Sequence, residues 1–152
     1  MNQEIKEFLR KFSEDVGAED VSLFLFRDSS PDSPLELVSV AHHIKLKDLA
    51  VPQGMGIVGW VASRGEPVLS NDTEKDPRFS DAVDMISGYK TKSIIAVPVL
   101  YKDVVIGVIE VINKKGESNF TEKDFEITKN AANLIIKYIP DTKIKNLAER
   151  KK

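Results

Sequence analysis

The 152-residue chain has no cysteine, which removes disulfides, thiolate metal sites, a nucleophilic thiol and any thiol-attached tetrapyrrole. Charge of one sign is missing too. Lys and Arg total 22 against 24 Asp and Glu, a formal net charge of −2, and no long block carries one sign. Nucleic acid and anionic membranes therefore find little to hold, and neither is expected as a partner. No apolar run reaches the roughly 18 residues that a membrane span needs. The opening MNQEIKEFLRKF places acids where a secretory signal would be basic and then apolar, so a cytoplasmic protein is expected. Gly (8) and Pro (7) are too few for a disordered or fibrous chain. Catalytic machinery is equally scarce. No nucleophile stands at suggestive spacing from a base, there is no Walker loop, and GMGIVG opens no βαβ unit, so the expectation is a protein that is not an enzyme.

What remains is an ordinary globular composition, 41% apolar and 30% charged, in a chain long enough to bury one core. A single domain over 1–152 is expected, with its core at about 5–140 and a C-terminal tail at 141–152 whose NLAERKK ending reads as solvated charge. Ile5, Phe8, Leu9, Phe12 and Val16 recur at helical spacing and predict a helix over 2–16, stopped near Gly17. VSLFLFR (21–27) and LELVSVAHH (35–43) read as strands around a turn-rich segment at 28–34 made only of Asp, Ser and Pro. A glycine-rich turn then leads into a small helix that ends at Gly65, followed by a short strand in PVLSN. Residues 72–92 form a long connector with a helical piece near 80–87, capped by Ser80. Connectors of this length in a compact domain usually carry function. Strands over 93–100 and 104–112 follow, with Pro98 signalling an edge or a bulge. A long helix over 121–139 ends at Pro140. Hairpins with flanking helices predict an α+β fold around a mostly antiparallel sheet.

Within VVIGVIEVINKKGESNF, strict alternation puts Val104, Ile106, Val108, Glu110 and Ile112 on one face, and Val105, Gly107, Ile109 and Val111 on the other. Glu110 thus sits among apolar neighbours. A buried carboxylate is costly unless hydrogen-bonded or paired, so Glu110 either reaches solvent near a strand end or lines a polar-lipped cavity. His42 and His43 are adjacent, point to opposite faces of a strand and cannot share one metal. Thr121 and Asp124 have the spacing of a capping box that opens the last helix.

Taken together and in order, GMGIVGWVASRGEPVLSND, DPRF and TKSIIAVPVLYKDVVIGVIEVINK resemble the GAF domain. The likeness is nearest to the regulatory GAF domains of cyclic nucleotide phosphodiesterases and related adenylyl cyclases. It covers roughly residues 5–140. The resemblance implies a sheet of about six antiparallel strands, with terminal helices on one face and a ligand pocket, roofed by the connector, on the other. It also implies a sensory function and a cyclic nucleotide or related purine as ligand. Glu110 matches a pocket position, Asp84, Ser87 and Thr91 match polar positions that hold base and phosphate, and Ile57 and Val58 match residues that pack on the ligand. From the residues alone, Asp84 reads equally as a solvated helix residue, Ser87 as a helix end, and Ile57 and Val58 as core. The family motif of Asn-Lys, Phe and Asp-Glu appears as Asn113, Lys114, Phe120 and Asp124, with Phe125 in place of the Glu. In the family, its Lys and Asp form a structural clasp. The cysteines of the family's methionine sulfoxide reductases are absent. Terminal helices of such domains commonly pair, so a homodimer is expected. The alternative is a dimerisation module with a collapsed pocket.

Overall fold

Ile5, Leu9, Phe12 and Val16 are all buried on one side of helix α1 (Gln3–Val16), which ends at Gly17. The computed structural model describes residues 3–42, 48–82, 90–116 and 118–150. A second, polar stripe on α1 faces the end of a strand. Lys6 Nζ donates to Val40 O (2.8 Å), Arg10 Nε donates to Ala41 O (3.1 Å), and Ser13 Oγ lies 2.9 Å from His42 Nε2. These side chains, at positions i, i+4 and i+7, share one helix face, so a single helix orientation satisfies all three.

The sheet has six strands: β1 (Ala18–Phe26), β2 (Leu35–Val40), β3 (Ala50–Val51), β4 (Val68–Ser70), β5 (Ile94–Tyr101) and β6 (Val104–Lys114). Their order is β3-β2-β1-β6-β5-β4 and every neighbouring pair is antiparallel. The central strands β1 and β6 are mainly apolar because helices cover both faces of the sheet. They also approach closely. A Cβ built on Gly107 would lie 2.2 Å from Phe24 O and 2.7 Å from Leu25 Cδ2, so only glycine fits.

Across the sheet from α1 and its neighbour sits helix α2 (Gly56–Arg64), which packs on β5 and β6. Helix α3 (Glu122–Leu134) lies beside α1 and also covers β5 and β6, and the Phe8 and Tyr138 rings meet at 5.6 Å. Thr121 and Asp124 form the expected capping box, with Thr121 N donating to Asp124 Oδ2 (2.9 Å) and Asp124 N to Thr121 Oγ1 (3.1 Å).

Several expectations need correction. The two-residue β3 was not anticipated, being too short to show a period. The single helix over 121–139 is broken: α3 ends at Leu134, a 3₁₀ turn spans Ile135–Tyr138, and Ile139 is extended at ψ 133. Pro140 is the reason, since its ring disfavours helical backbone in the preceding residue. Residues 141–150 do not form a simple tail either. Helix α4 (Asp141–Ala148) buries Ile144 and Leu147, Lys143 Nζ donates to Arg27 O (2.9 Å), and the Arg150 guanidinium lies 3.4 Å from the Phe26 ring centroid. The core therefore extends past the expected limit at 140.

The alternation expected along β6 holds from Gly107 onward and fails before it. Val99 pairs with Gly107 but Leu100 with Val105, which leaves Ile106 as the extra residue of a bulge and moves Val105 to the face of Val108 and Glu110. Pro98 lies just before this bulge and beyond the reach of β4, which pairs only with Ile94–Ala96, so no ladder bond is lost there. Of the helix expected over 80–87, only its opening lies among the described residues, where Ala82 N donates to Ser80 Oγ at 3.4 Å.

Leu147→Ala should lower the unfolding free energy by about 2–5 kcal/mol, as for other fully buried leucines. Lys145→Ala, on the exposed side of the same helix, should cost less than about 1 kcal/mol. Urea unfolding of the two variants checks this, and equal small effects would return the segment to the status of a tail.

Candidate ligand face and the loops that bound it

Strand register places Val40, Ser22, Glu110, Ala96 and Val68 in one row across five strands. Asp20, Ile112, Ile94 and Ser70 form the row on one side, and Leu37, Phe24, Val108 and Pro98 the row on the other. Cross-strand partners share a face, so Glu110 stands near the middle of an otherwise mainly apolar surface. It is half-buried and lies within β6, away from both strand ends. Its row neighbours Ser22 and Ala96 are small and buried.

Helix α2 lies on this side, as the approach of a Gly65 Cβ to Val105 Cγ2 (3.4 Å) shows. The turn before it is closed by mutual bonds: Gly54 N donates to Gly59 O (3.0 Å) and Gly59 N to Met55 O (3.0 Å). A side chain at 59 would strike Pro52 O at 2.7 Å, so the GMGIVG pattern serves loop closure. Ile57 and Val58 are 2% and 5% exposed and pack in the core below.

The DPRF sequence straps the next segment onto α2. Arg78 donates from Nε to Asp76 Oδ1 (2.9 Å) and from NH2 to Asp76 Oδ2 (2.7 Å), a bidentate pair. The same guanidinium lies 5.0 Å from the Trp60 ring centroid, with Arg64 at 5.1 Å. The Arg78 guanidinium holds the Asp76 carboxyl down at about 2, against an opposing effect of burial. Phe79 packs on the core and Ser80 stands against Gly56. Sequence reasoning passed over this trio. The available signal was an Asp and an Arg two apart around a proline, in a chain with one tryptophan.

Of the expected polar ligand residues, Asp84 and Ser87 lie outside the described residues. Thr91 is largely buried, and its carbonyl accepts from Thr73 Oγ1 at 2.8 Å. Asn113, Lys114, Phe120 and Asp124 gather at the other end of β6. Lys114 Nζ donates to Val16 O (2.8 Å) and pairs with Asp124 Oδ2 (3.0 Å). Burial pushes the Asp124 carboxyl up, but the bond from Thr121 N and the Lys114 ammonium outweigh it, and the net direction is down. Phe120 is buried, with its backbone bonded both ways to the Asn71 side chain. Phe125 is half-buried beneath the Lys129 ammonium, 4.4 Å from the ring centroid.

Ser13, His42 and Asp20 look superficially like a catalytic trio. The bonds say otherwise: buried Ser13 gives its proton to Arg10 O (2.7 Å), and Asp20 Oδ1 accepts from the backbone of His42. The hydroxyl thus accepts from the imidazole, the wrong sense for nucleophile activation. His43 lies outside the described residues. Among the described residues no group of three His, Asp or Glu side chains is placed to hold a metal ion, and no helix is long and apolar enough to cross a membrane.

A family model for the GAF domain matches residues 1–139. The chain belongs to the GAF domain family. This GAF domain is 37% identical over 133 residues to the human rod cGMP-specific 3',5'-cyclic phosphodiesterase subunit alpha, covering 79% of the chain and 16% of that protein. Against the dual 3',5'-cyclic-AMP and -GMP phosphodiesterase 11A of Takifugu rubripes, identity is 44% over 82 residues, 53% of the chain and 9% of that protein. The chain thus spans less than a fifth of these relatives. Among solved structures, the GAF domain of a phosphoenolpyruvate-protein phosphotransferase from Coxiella burnetii superposes with a TM-score of 0.76 at 18% identity, covering 93% of the chain and 85% of that structure. The free methionine-R-sulfoxide reductase of Thermoplasma acidophilum matches with a TM-score of 0.67 at 20% identity, over 86% of the chain and 92% of that structure. These two show the shared fold.

The lowered Asp76 value sets a pH window. Its folded-state pKa falls from the ordinary 3.8 to about 2, so the pair stabilises fully above the ordinary value and its contribution fades as pH drops towards 2. Wild type should exceed Asp76→Asn by about 1–2 kcal/mol at pH 6, at 1.36 kcal/mol per unit with a discount for solvent around Arg78. Denaturant titrations at pH 6 and near pH 2 should show that gap closing; a gap independent of pH would remove the ion pair as its cause.

Proposed function

We propose that this GAF domain is a sensory module, not an enzyme, that binds a small molecule over the sheet face around Glu110. A cyclic nucleotide or related purine is the leading ligand, and the event passes through the terminal helices of a cytoplasmic homodimer. The observation that carries the reading is a half-buried carboxylate near the centre of a mainly apolar face, on the side of the sheet where α2 packs and beside Ser22. An acceptor there suits a base N–H donor in a cleft that excludes water. Similarity to the GAF regions of cyclic nucleotide phosphodiesterases supports the ligand class. Within it, Ile57 and Val58 are packing residues, Asp84, Ser87, Thr91 and Glu110 are the polar contacts, and Asn113, Lys114, Phe120 and Asp124 are the structural motif. The complete absence of cysteine argues against the thiol chemistry of the sulfoxide reductases that share the fold.

A second reading, a dimerisation module with no ligand, draws on a groove of about 620 Å³ between α1 and α3. Phe8, Ile127 and Tyr138 line it, and Leu134 is 44% exposed at its edge. Both readings share a dimer through this surface. Leu134→Glu should therefore raise the dimer dissociation constant at least about tenfold by light scattering, the equivalent of 1.4 kcal/mol. A wild-type chain that stays monomeric at high micromolar concentration would end the dimer proposal.

The readings part on ligand response. At about 100 times its dissociation constant, a ligand that binds only the folded state adds roughly 2.7 kcal/mol, which for a chain of this size is on the order of 5–11 °C in Tm. Cyclic AMP, cyclic GMP and a panel of free nucleotides should include a compound giving such a shift. Glu110→Ala should abolish most of it, since a donor on the ligand is left unpaired. Lys114→Ala should lower Tm with and without ligand alike. A full shift retained in Glu110→Ala would refute the placement of the ligand, and no shift from any compound would favour the ligand-free module.

A further inference from the structure

Two adjacent residues at the end of β6 bond to several parts of the fold at once. Asn113 takes a left-handed backbone, φ 57, and is 6% exposed. Its Oδ1 accepts from Lys92 N (2.6 Å) and Ser93 N (3.2 Å), while Nδ2 donates to Lys90 O (2.8 Å) and Glu19 Oε1 (3.3 Å). Every donor and acceptor of the amide is used, and three of the four bonds hold the loop entering β5. Lys114 continues from there. Its N–H donates to Ser93 Oγ (3.1 Å), and its ammonium holds the last carbonyl of α1 and the carboxylate at the start of α3. From the loop the chain of bonds runs on. Thr73 N donates to Lys92 O (3.2 Å) and Thr73 Oγ1 to Thr91 O, and the 3₁₀ turn from Thr73 ends at Asp76, whose partner Arg78 rests on Trp60 of α2.

We propose that Asn113 and Lys114 form a coupling node, through which the loop 90–93 bordering the ligand face and the facing ends of α1 and α3 share one conformational equilibrium. Loosening either side then loosens the other, because the node's left-handed backbone and buried amide cannot move without breaking bonds on both. The coupling is a property of the folded domain; its use in signalling rests on the sensory reading above.

The test uses the full chain without ligand, by amide hydrogen exchange read with NMR. Asp124→Ala removes the Lys114 partner without touching residues 90–93, yet Lys92 and Ser93 amides should exchange at least about fivefold faster, the lower end of typical coupling. Asn113→Ala should in turn speed the amides of Lys115, bonded to Gly17 O, and of Asp124 by a similar factor, since coupling is reciprocal. Leu147→Ala, remote from the node, supplies the reference at matched global stability. If Asp124→Ala does not fold, Asp124→Asn keeps an oxygen for Thr121 N and removes only the charge. Exchange at Lys92 and Ser93 no faster than in the reference would overturn the node. A coupled node in a chain whose Tm no compound of the panel shifts would instead count against the sensory reading alone.

Discussion

The close antiparallel pairing of β1 with β6 is the constraint on which the rest is hung. With helices over both faces, every side chain on these strands must be either apolar or partnered, and the backbones come so near at Gly107 that a single methyl would collide with a carbonyl. Neighbouring strands take their register from this pair, and two bulges, one opposite Leu23 and Phe24 and one opposite Val99 and Leu100, adjust the outer strands to it. In such a setting polar groups persist only where bonds hold them. Asp20, Ser93 and Asn113 do so by binding backbone or neighbouring chain, and among the described residues no buried side-chain donor or acceptor is left unmet.

Around that core, the loops are fastened by a few strong contacts in place of broad apolar burial. The bidentate Asp76–Arg78 pair against Trp60 fixes the segment that leaves β4, and Asn113 fixes the segment that enters β5. Both depend on geometry more than on area, since a guanidinium paired bidentately with a carboxylate beside an indole and a fully bonded amide each tolerate one arrangement.

The sequence revealed most where a period or a punctuation mark was long enough to read. Helix α1 announced itself through Ile5, Leu9, Phe12 and Val16, and β5 and β6 through runs of Val and Ile. The bulge at Ile106 was hidden, because one added residue changes no composition yet reverses the faces of what precedes it. Helix α4 was missed for a different reason: Ile144 and Leu147 are only two apolar residues in eight, too few to outweigh the charged ending around them. For the candidate site, Glu110 stood out as a lone acid in an apolar strand. Trp60, Arg78 and Asp76 did not, since their meeting depends on a turn and a 3₁₀ segment whose path no local pattern encodes.

The polar stripe of α1 limits the motions open to that helix. Lys6, Arg10 and Ser13 meet Val40 O, Ala41 O and His42 Nε2 from one side of the cylinder, so rolling by one residue, about 100°, would part all three contacts at once. A slide or pivot that carries the end of β2 along preserves them. The first helix and the second strand are thus geared as one lever arm, and displacement at one end of that lever reappears at the start of the chain segment that follows β2.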